Sequence, residues 1–427
     1  MQVHLKALGC RLNEAEIEHW ASDFQSLGHT ITRQPEQADL VVINTCAVTS
    51  EAARKSRQLI RRSHRFNPGA KLVISGCYNS LEPDNAARLD GVDLLVPNDQ
   101  KDRLVDIVDR EIGLHTMPAR TTQPGETALF QQGRNRAFIK IQDGCRYRCS
   151  FCIVTLARGG ERSRHVADIV NEINTLHSRG VQEAVLTGVH VGGYGSDTGS
   201  SLYDLLHIVL AETDIPRIRL GSVEPWDLPK NFFRLFDNPR LMPHLHLPLQ
   251  SGSDSVLRRM SRRCKTGDFA RLVETARQSI ADFQVTTDII VGFPGETDSE
   301  WRESLDFLQA TGFSHLHIFS YSRRHGTKAA RMPDQVDPDV KKRRSRELHR
   351  LGQKMKLAIL EEYVGSTQPV LWENRDVPRG QTGYSGYTPN FLRARLKQSK
   401  VAAANTILPV KLASLDREHG LLNAELI

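Results

Sequence analysis

The chain has 427 residues, 39% hydrophobic and 25% charged. This is the composition of an ordinary folded protein of roughly two to four domains, and it excludes wholesale disorder, collagen and a disulfide-dense mini-protein. The net charge of +7 is uneven, because residues 323–427 carry 20 Lys and Arg against 11 Asp and Glu while the rest carries 37 against 39. That basic quarter predicts a polyanionic partner, RNA first, with a merely solvated basic helix as the plainer reading. The longest apolar runs, such as Leu40-Val41-Val42-Ile43, are strand-sized, so no membrane span is expected. Met1–Lys6 lacks a signal-like apolar region, which predicts a cytoplasmic protein.

Residues 1–115 alternate short apolar runs with helical patterns. Strands are expected at Val3–Leu8, Leu40–Asn44, Lys71–Ser75 and Val92–Val96, with helices at Glu14–Leu27, Thr49–His64 and Asp102–Ile112. Continuous apolar strands joined by helices imply an α/β domain with a parallel sheet. The polar, Pro- and Gly-bearing residues 116–133 read as a linker.

Six further β/α units are expected within 134–364. Their strands are Ala137–Ile141, Glu183–Thr187, Arg217–Gly221, His244–Leu249, Gln284–Val291 and His315–Phe319, and they suggest a (β/α)6 partial barrel. A long basic helix follows at Asp339–Tyr363, with Leu348, Leu351, Met355, Ile359 and Glu362 as its inner stripe and Lys341–Arg344 exposed. From 365 to 427 five short strands with turn residues between them predict a small β-barrel of oligonucleotide-binding type.

The chemistry lies in the cysteines. Cys145, Cys149 and Cys152 form a C-x3-C-x2-C loop directly after the first barrel strand. Three thiolates at that spacing fit a [4Fe-4S] cluster with one iron left open; a zinc site or free cysteines are the alternatives. Cys10, Cys46 and Cys77 each fall just past one of the first three strands. In a parallel sheet those ends share one edge, next to helix N-termini that favour anionic sulfur, so the three can converge on a second cluster. Read alone they are more simply three unrelated buried cysteines; their placement beside the other motif reverses that reading. Cys264 has no partner at a ligand spacing and reads as a packing residue.

Gly9-Cys10-Arg-Leu-Asn13, Asn44-Thr-Cys46-Ala-Val-Thr49 and Gly76-Cys77 resemble the N-terminal motifs of the methylthiotransferase family. Cys145–Cys152, Leu249-Gln-Ser-Gly-Ser-Asp254 and Asp288–Thr297 resemble its radical S-adenosylmethionine (SAM) domain, and the C-terminal barrel resembles its TRAM RNA-binding domain. The resemblance spans essentially the whole chain. It implies two [4Fe-4S] clusters, at Cys10/Cys46/Cys77 and at Cys145/Cys149/Cys152, and two uses of SAM. One SAM methylates sulfur held at the auxiliary cluster, and the other yields a 5′-deoxyadenosyl radical for replacing C–H by C–SCH3. A reducing electron donor and a sulfur source are implied partners. Asn44–Thr49, Thr187–Gly195 and Thr287–Val291 look most like the group acting on threonylcarbamoyladenosine in the tRNA anticodon loop. The isopentenyladenosine group and the group acting on a ribosomal-protein aspartate are the alternatives. Thr155-Leu156 stands where the family usually has Pro-aromatic, a departure that touches packing near the cluster loop. Outside the family stand a non-catalytic iron–sulfur RNA-binding regulator and a cobalamin-using radical SAM methyltransferase.

Other polar residues at strand ends are candidates for SAM: Ser222, Glu224, Gln250, Asp288, Gly292 and Glu296. Their plainer reading is turn and lining residues. For substrate or RNA the candidates are His190, Arg162 and Arg164, with Tyr384, Tyr387, Arg393 and Arg395 in the tail, where aromatic faces interleave with cations. Half of those aromatics could instead form the small barrel's core. His244 and His246 share one strand face and read as polar barrel lining.

Overall fold

A computed structural model describes residues 1–113, 136–373, 383–397 and 404–427. The expected linker at 116–133 lies outside the described residues. At the N-terminus, strands β1 (Gln2–Ala7), β2 (Thr30–Ile31), β3 (Leu40–Thr45), β4 (Lys71–Gly76) and β5 (Leu94–Val96) form one parallel sheet ordered β2-β1-β3-β4-β5. Every residue of β3 is buried, as its unbroken apolar run requires of a central parallel strand. The two-residue edge strand β2 is too short to announce itself by pattern. The helix expected at 102–112 is broken into a 3-10 turn, five α-helical residues and a π turn.

Helix α1 (Arg11–Ser26) buries Trp20 and Phe24 against the N-terminal sheet. Its other side meets the central domain, where Ala15 packs with Phe138 and Val185. Helix α2 (Ser50–Phe66) starts at Thr49, whose side chain accepts from the Ala52 amide, an N-cap that stabilises such a helix by about 1 kcal/mol.

The central strands are β6 (Arg136–Lys140), β9 (Glu183–Thr187), β10 (Arg217–Leu220), β11 (His244–His246), β12 (Gln284–Val291) and β13 (His315–Ser320). A two-residue hairpin, β7 (Gln142–Asp143) with β8 (Arg162–Ser163), flanks the cysteine loop. Two parallel three-stranded sheets, β6-β9-β10 and β11-β12-β13, are joined by bridges Ile218–Leu241 and Ser222–His246. The six strands therefore form one curved parallel wall, with Leu186, Ile218, Leu245 and Val285 in its core.

Helix Pro338–Glu362 packs along β13. Leu348 and Met355 face inward as expected, but Glu362 is exposed and Arg344 is buried. Arg344 lies one turn before Leu348, so the inner stripe extends back through it. Its guanidinium pairs with Glu296 (2.9 Å) and Asp298 (2.7 Å).

The C-terminal strands β14 (Thr367–Trp372), β15 (Gly383–Tyr387), β16 (Arg393–Lys397), β17 (Ile407–Asp416) and β18 (Leu421–Leu426) close a barrel ordered β14-β15-β16-β18-β17. Trp372, Val410, Leu412 and Leu422 fill it. It sits on the N-terminal ends of the central strands. Arg217 donates to the carbonyls of Tyr387 (3.0 Å) and Pro369 (2.6 Å), Arg219 to that of Pro389 (3.0 Å), and Arg136 to Glu373 (2.7 Å).

Candidate active site

The two cysteine sets occupy the C-terminal strand ends, opposite the small barrel. Cys10, Cys46 and Cys77 follow β1, β3 and β4, which are neighbours in register. Cys46 and Cys77 are buried and Cys10 is exposed. Two glycines make the crowding possible. Gly9 has φ +111°, and a Cβ there would lie 2.6 Å from Cys46 Cβ and 2.7 Å from its Sγ. Gly76 has φ +95°, and its Cβ would lie 2.3 Å from the Thr45 carbonyl oxygen. Neither position admits a side chain without moving a cysteine or the backbone that carries one. Burial pushes the Cys46 thiol up to about 11, with the neighbouring Cys77 and Cys10 adding to the rise. A metal would have to displace that proton. Ser75 Oγ, Tyr78 OH and Asn79 Nδ2 are buried beside Cys77 in sequence and have no hydrogen-bond partner among the described residues.

In the second set, Tyr147 donates its amide to Cys145 Sγ (3.4 Å), and Val154 donates its amide to Cys152 Sγ (3.4 Å). Arg262 Nη1 lies 3.8 Å from Cys149 Sγ. Amides and a guanidinium aimed at sulfur suit thiolates. Burial pushes the Cys145 thiol up to about 11 and that of Cys152 up to about 12. Gly144, at φ +71°, would place a Cβ 1.8 Å from the Gly160 carbonyl oxygen, so the loop can close only on glycine. Both donor sets are chemically suited to iron–sulfur clusters.

One five-residue helix, α3 (Val154–Arg158), connects the sets. Val154 meets Cys152 at its start. At its end Arg158 donates to Asn13 Oδ1 (2.6 Å), Glu16 (3.0 Å) and Asp143 (3.0 Å), and its positive field reaches Cys77 and Cys10. The Ala157 carbonyl accepts from Asn98, whose Nδ2 lies 3.9 Å from Cys77 Sγ. Arg158, Arg262 and Asn13 were not singled out by sequence reasoning, although each lies in or beside a quoted motif. Arg158 lies only six residues after Cys152, but Arg262 lies 110 residues after it, so the fold rather than the spacing brings that cation to the cysteine loop.

The SAM candidates divide. Glu224 is held by Arg262 (2.6 Å) next to Cys149. Gln250 adopts φ +82° and bridges to β12 through Asp288 O and Ile290 N. Asp288 lies 3.2 Å from His246 Nε2, and His317 stacks edge-on to His246. Ser222 is exposed beside His246. Gly292 and Glu296 turn away from this group. A Cβ on Gly292 would meet the Lys341 stem at 2.2 Å, and Glu296 is buried against Arg344 while accepting from the Gly292 amide. The bare glycine here permits the close approach of Lys341.

His190 is buried. It sits between Glu161 and Asp227, 2.6 Å from the latter, and Asp227 also accepts from Tyr147 (2.7 Å). Burial alone would lower its pKa, but the two carboxylates raise it overall. Cys145, Glu161 and His190 approach one another closely enough to share an ion. Arg164 is engaged by Glu172 (2.6 Å) and the Lys140 carbonyl (2.7 Å), whereas Arg162 is half-exposed near Asp143. Among the described residues neither contacts Glu224, Gln250 or Asp288.

In the tail, expectation and structure part. Tyr387 stacks on Phe391 at 4.7 Å, and the Arg136 and Arg219 guanidinia lie over these rings. The half-buried pair is overlaid by guanidinia of the central domain. Tyr384 packs against the barrel core. Arg395 is buried with Asp416 and Asn423 (2.5 and 3.0 Å). Arg393 is half-buried, and the side chain of Lys397 lies outside the described residues. Cys264 is buried and donates to the Lys265 carbonyl, as a packing cysteine would. Leu156 is 60% exposed at the departure from the family pattern.

Among the described residues no helix is long and apolar enough to cross a membrane. A family model described as the radical SAM superfamily matches residues 139–308, and one described as uncharacterized protein family UPF0004 matches residues 2–97. The threonylcarbamoyladenosine tRNA methylthiotransferase MtaB of Thermotoga maritima is 36% identical over 90% of this chain and 89% of its own length. Its Bacillus subtilis counterpart is 35% identical, over 92% and 90%. The tRNA-2-methylthio-N(6)-dimethylallyladenosine synthase of Staphylococcus haemolyticus is 32% identical, over 90% and 77%. Among solved structures, the radical SAM methyltransferase TsrM from Kitasatospora setae, with cobalamin and a [4Fe-4S] cluster bound, superimposes with TM-score 0.58. The identity is 15%, covering 88% of this chain and 81% of that one. That likeness is one of fold.

Proposed function

The chain belongs to the radical SAM methylthiotransferase family, and we propose that it replaces the C2 hydrogen of N6-threonylcarbamoyladenosine 37, in the tRNA anticodon loop, by a methylthio group. Two [4Fe-4S] clusters and SAM supply the electron, the radical and the methyl group when bound. Cys145, Cys149 and Cys152 would hold the cluster that binds SAM, and Cys10, Cys46 and Cys77 the auxiliary one.

The observation that carries this reading is the placement of two three-cysteine sets at opposite ends of one five-residue helix. At 1.5 Å per residue that helix is only about 8 Å long, so groups held at the two sets face a common space. Arg158 and Arg262 each set a buried guanidinium near one set and favour anionic sulfur there. Glu224, Gln250 and Asp288 are the side chains best placed to orient SAM, and Ser222 lies beside them. A low-potential electron donor and a sulfur source complete the reaction. The threonylcarbamoyl substrate rests on the naming of the similar MtaB proteins, whose identity reaches 36%.

The test is mass spectrometry of tRNA nucleosides from cells with and without the gene. Loss of the methylthio group from threonylcarbamoyladenosine, restored by the intact gene, is the expected result. Loss from the isopentenylated base instead would move the substrate to the dimethylallyladenosine group. An unchanged nucleoside profile would leave the ribosomal-protein substrate or a non-catalytic role. Iron separates the cobalamin reading, at about eight atoms per chain for two clusters against about four for one.

A further inference from the structure

The basic residues expected to meet RNA are not where the small barrel offers them. Among the described residues, exposed cations of the C-terminal excess gather on the first half of helix Pro338–Glu362, over a groove of about 860 Å³. Lys341, Lys342, Arg343, Arg346, His349 and Arg350 line it together with Ser320, Tyr321, Pro338 and Ser345, and among the described residues no acidic one does. All of these cations except the half-buried Lys341 are exposed. Lys342, Arg346 and Arg350 recur every four residues, a row with steps of about 6 Å along the axis.

The groove is rigidly presented. Arg344 ties the helix to Glu296 and Asp298, Glu347 accepts from Trp301 Nε1 (2.8 Å), and Leu348 is buried below. Lys341 rests against Gly292 with its ammonium 6.0 Å from the Tyr321 ring centroid. The position is also specific. Ser320 ends β13, so the groove opens at the strand ends that carry the cysteine loop, and the next residue after Tyr321, Ser322, bonds to Ser50 at the start of α2. Five cations and a histidine on an anchored helix, with no carboxylate among the described lining residues and only Arg343 near one (Asp298, 3.9 Å), in a trough too large for one phosphate, suit a run of backbone phosphates.

We infer that this groove docks the phosphate backbone of the substrate tRNA and delivers the anticodon loop to the space between the cysteine sets. The inference rests on the tRNA reading above. The small barrel braces the opposite end of the central domain.

The test uses the full-length, iron-loaded protein and an unmodified substrate tRNA transcript, with affinity measured across a series of KCl concentrations. In the variant K342Q/R346Q/R350Q the slope of log affinity against log salt should fall in magnitude by about 2 to 3. Affinity at moderate salt should weaken by roughly ten-fold or more. SAM cleavage under reductant without RNA, and iron content, should stay unchanged, since none of the three side chains belongs to the site. The control R179Q/R271Q, on exposed outer helices, should keep the wild-type slope. Wild-type affinity and slope in the triple variant would overturn the inference and leave the tRNA reading standing. No tRNA binding by the unaltered protein would overturn both.

Discussion

Glu16, Asp143, Lys101 and Arg158 form a buried cluster where the N-terminal domain meets the barrel. Lys101 Nζ reaches Glu16 at 2.5 Å and Asp143 at 2.9 Å, and Arg158 reaches both at 3.0 Å. Burial alone would raise the Glu16 carboxyl, but Arg158, Lys101 and Lys140 outweigh it and bring the pKa to about 2. A carboxylate depressed in the folded state stabilises the protein above its unfolded pKa of about 4.5 and loses that contribution as pH falls toward 2. Stability measured by denaturant titration should therefore drop between about pH 5 and pH 2, and Glu16→Gln should flatten that drop. At neutral pH the same substitution breaks a buried pair and is expected to cost about 3 to 5 kcal/mol. Identical pH profiles for the two proteins would mean that Glu16 is not held by these cations.

At the level of elements, the strand-to-helix turns decide where the cysteines go. Gly76 ends β4 in a left-handed conformation against the Thr45 carbonyl. Gly76→Ala should displace Cys77, with a loss of about half the bound iron and SAM cleavage retained at the other set; a full iron complement would show that the turn tolerates the methyl. These turns were legible in the sequence because apolar run, glycine and cysteine are adjacent there. Destinations set by distant packing were not. Nothing near Tyr387 or Phe391 in the chain signals that Arg136, Arg217 and Arg219, some 170 residues earlier or more, will cover them. His190 reads as a loop residue until Asp227, 37 positions on, closes over it, and Glu296 until the long helix returns. The same logic predicts that Phe391→Ala loosens the joint between barrels, at roughly 2 to 4 kcal/mol, without changing tRNA affinity. A selective loss of RNA binding at unchanged stability would place Phe391 on the nucleic-acid surface instead.

The whole molecule is braced from both ends of the central wall. The N-terminal domain and the cysteine loops meet at the C-terminal strand ends, while the small barrel closes the N-terminal ends. Glu183, Arg136 and Arg217 start neighbouring strands there, Arg219 follows two residues after Arg217, and three guanidinia converge on the buried Glu183. One carboxylate cannot balance three cations, and burial pulls the Arg217 pKa down to about 10 despite Glu183. The small barrel supplies what is missing: the carbonyls of Pro369, Tyr387 and Pro389 and the carboxylate of Glu373. A module tethered only to catch RNA could be removed with little effect on the rest. This one satisfies buried donors that would otherwise lose their partners, at a cost of about 1 to 3 kcal/mol for each and more where the group is charged. Truncation after Val364 should therefore lower the melting temperature of the remaining chain and slow or diminish SAM cleavage even with no RNA present. Calorimetry and a cleavage assay on the truncated protein check this, and an unaltered melting temperature with full cleavage would show that the two barrels fold and work independently.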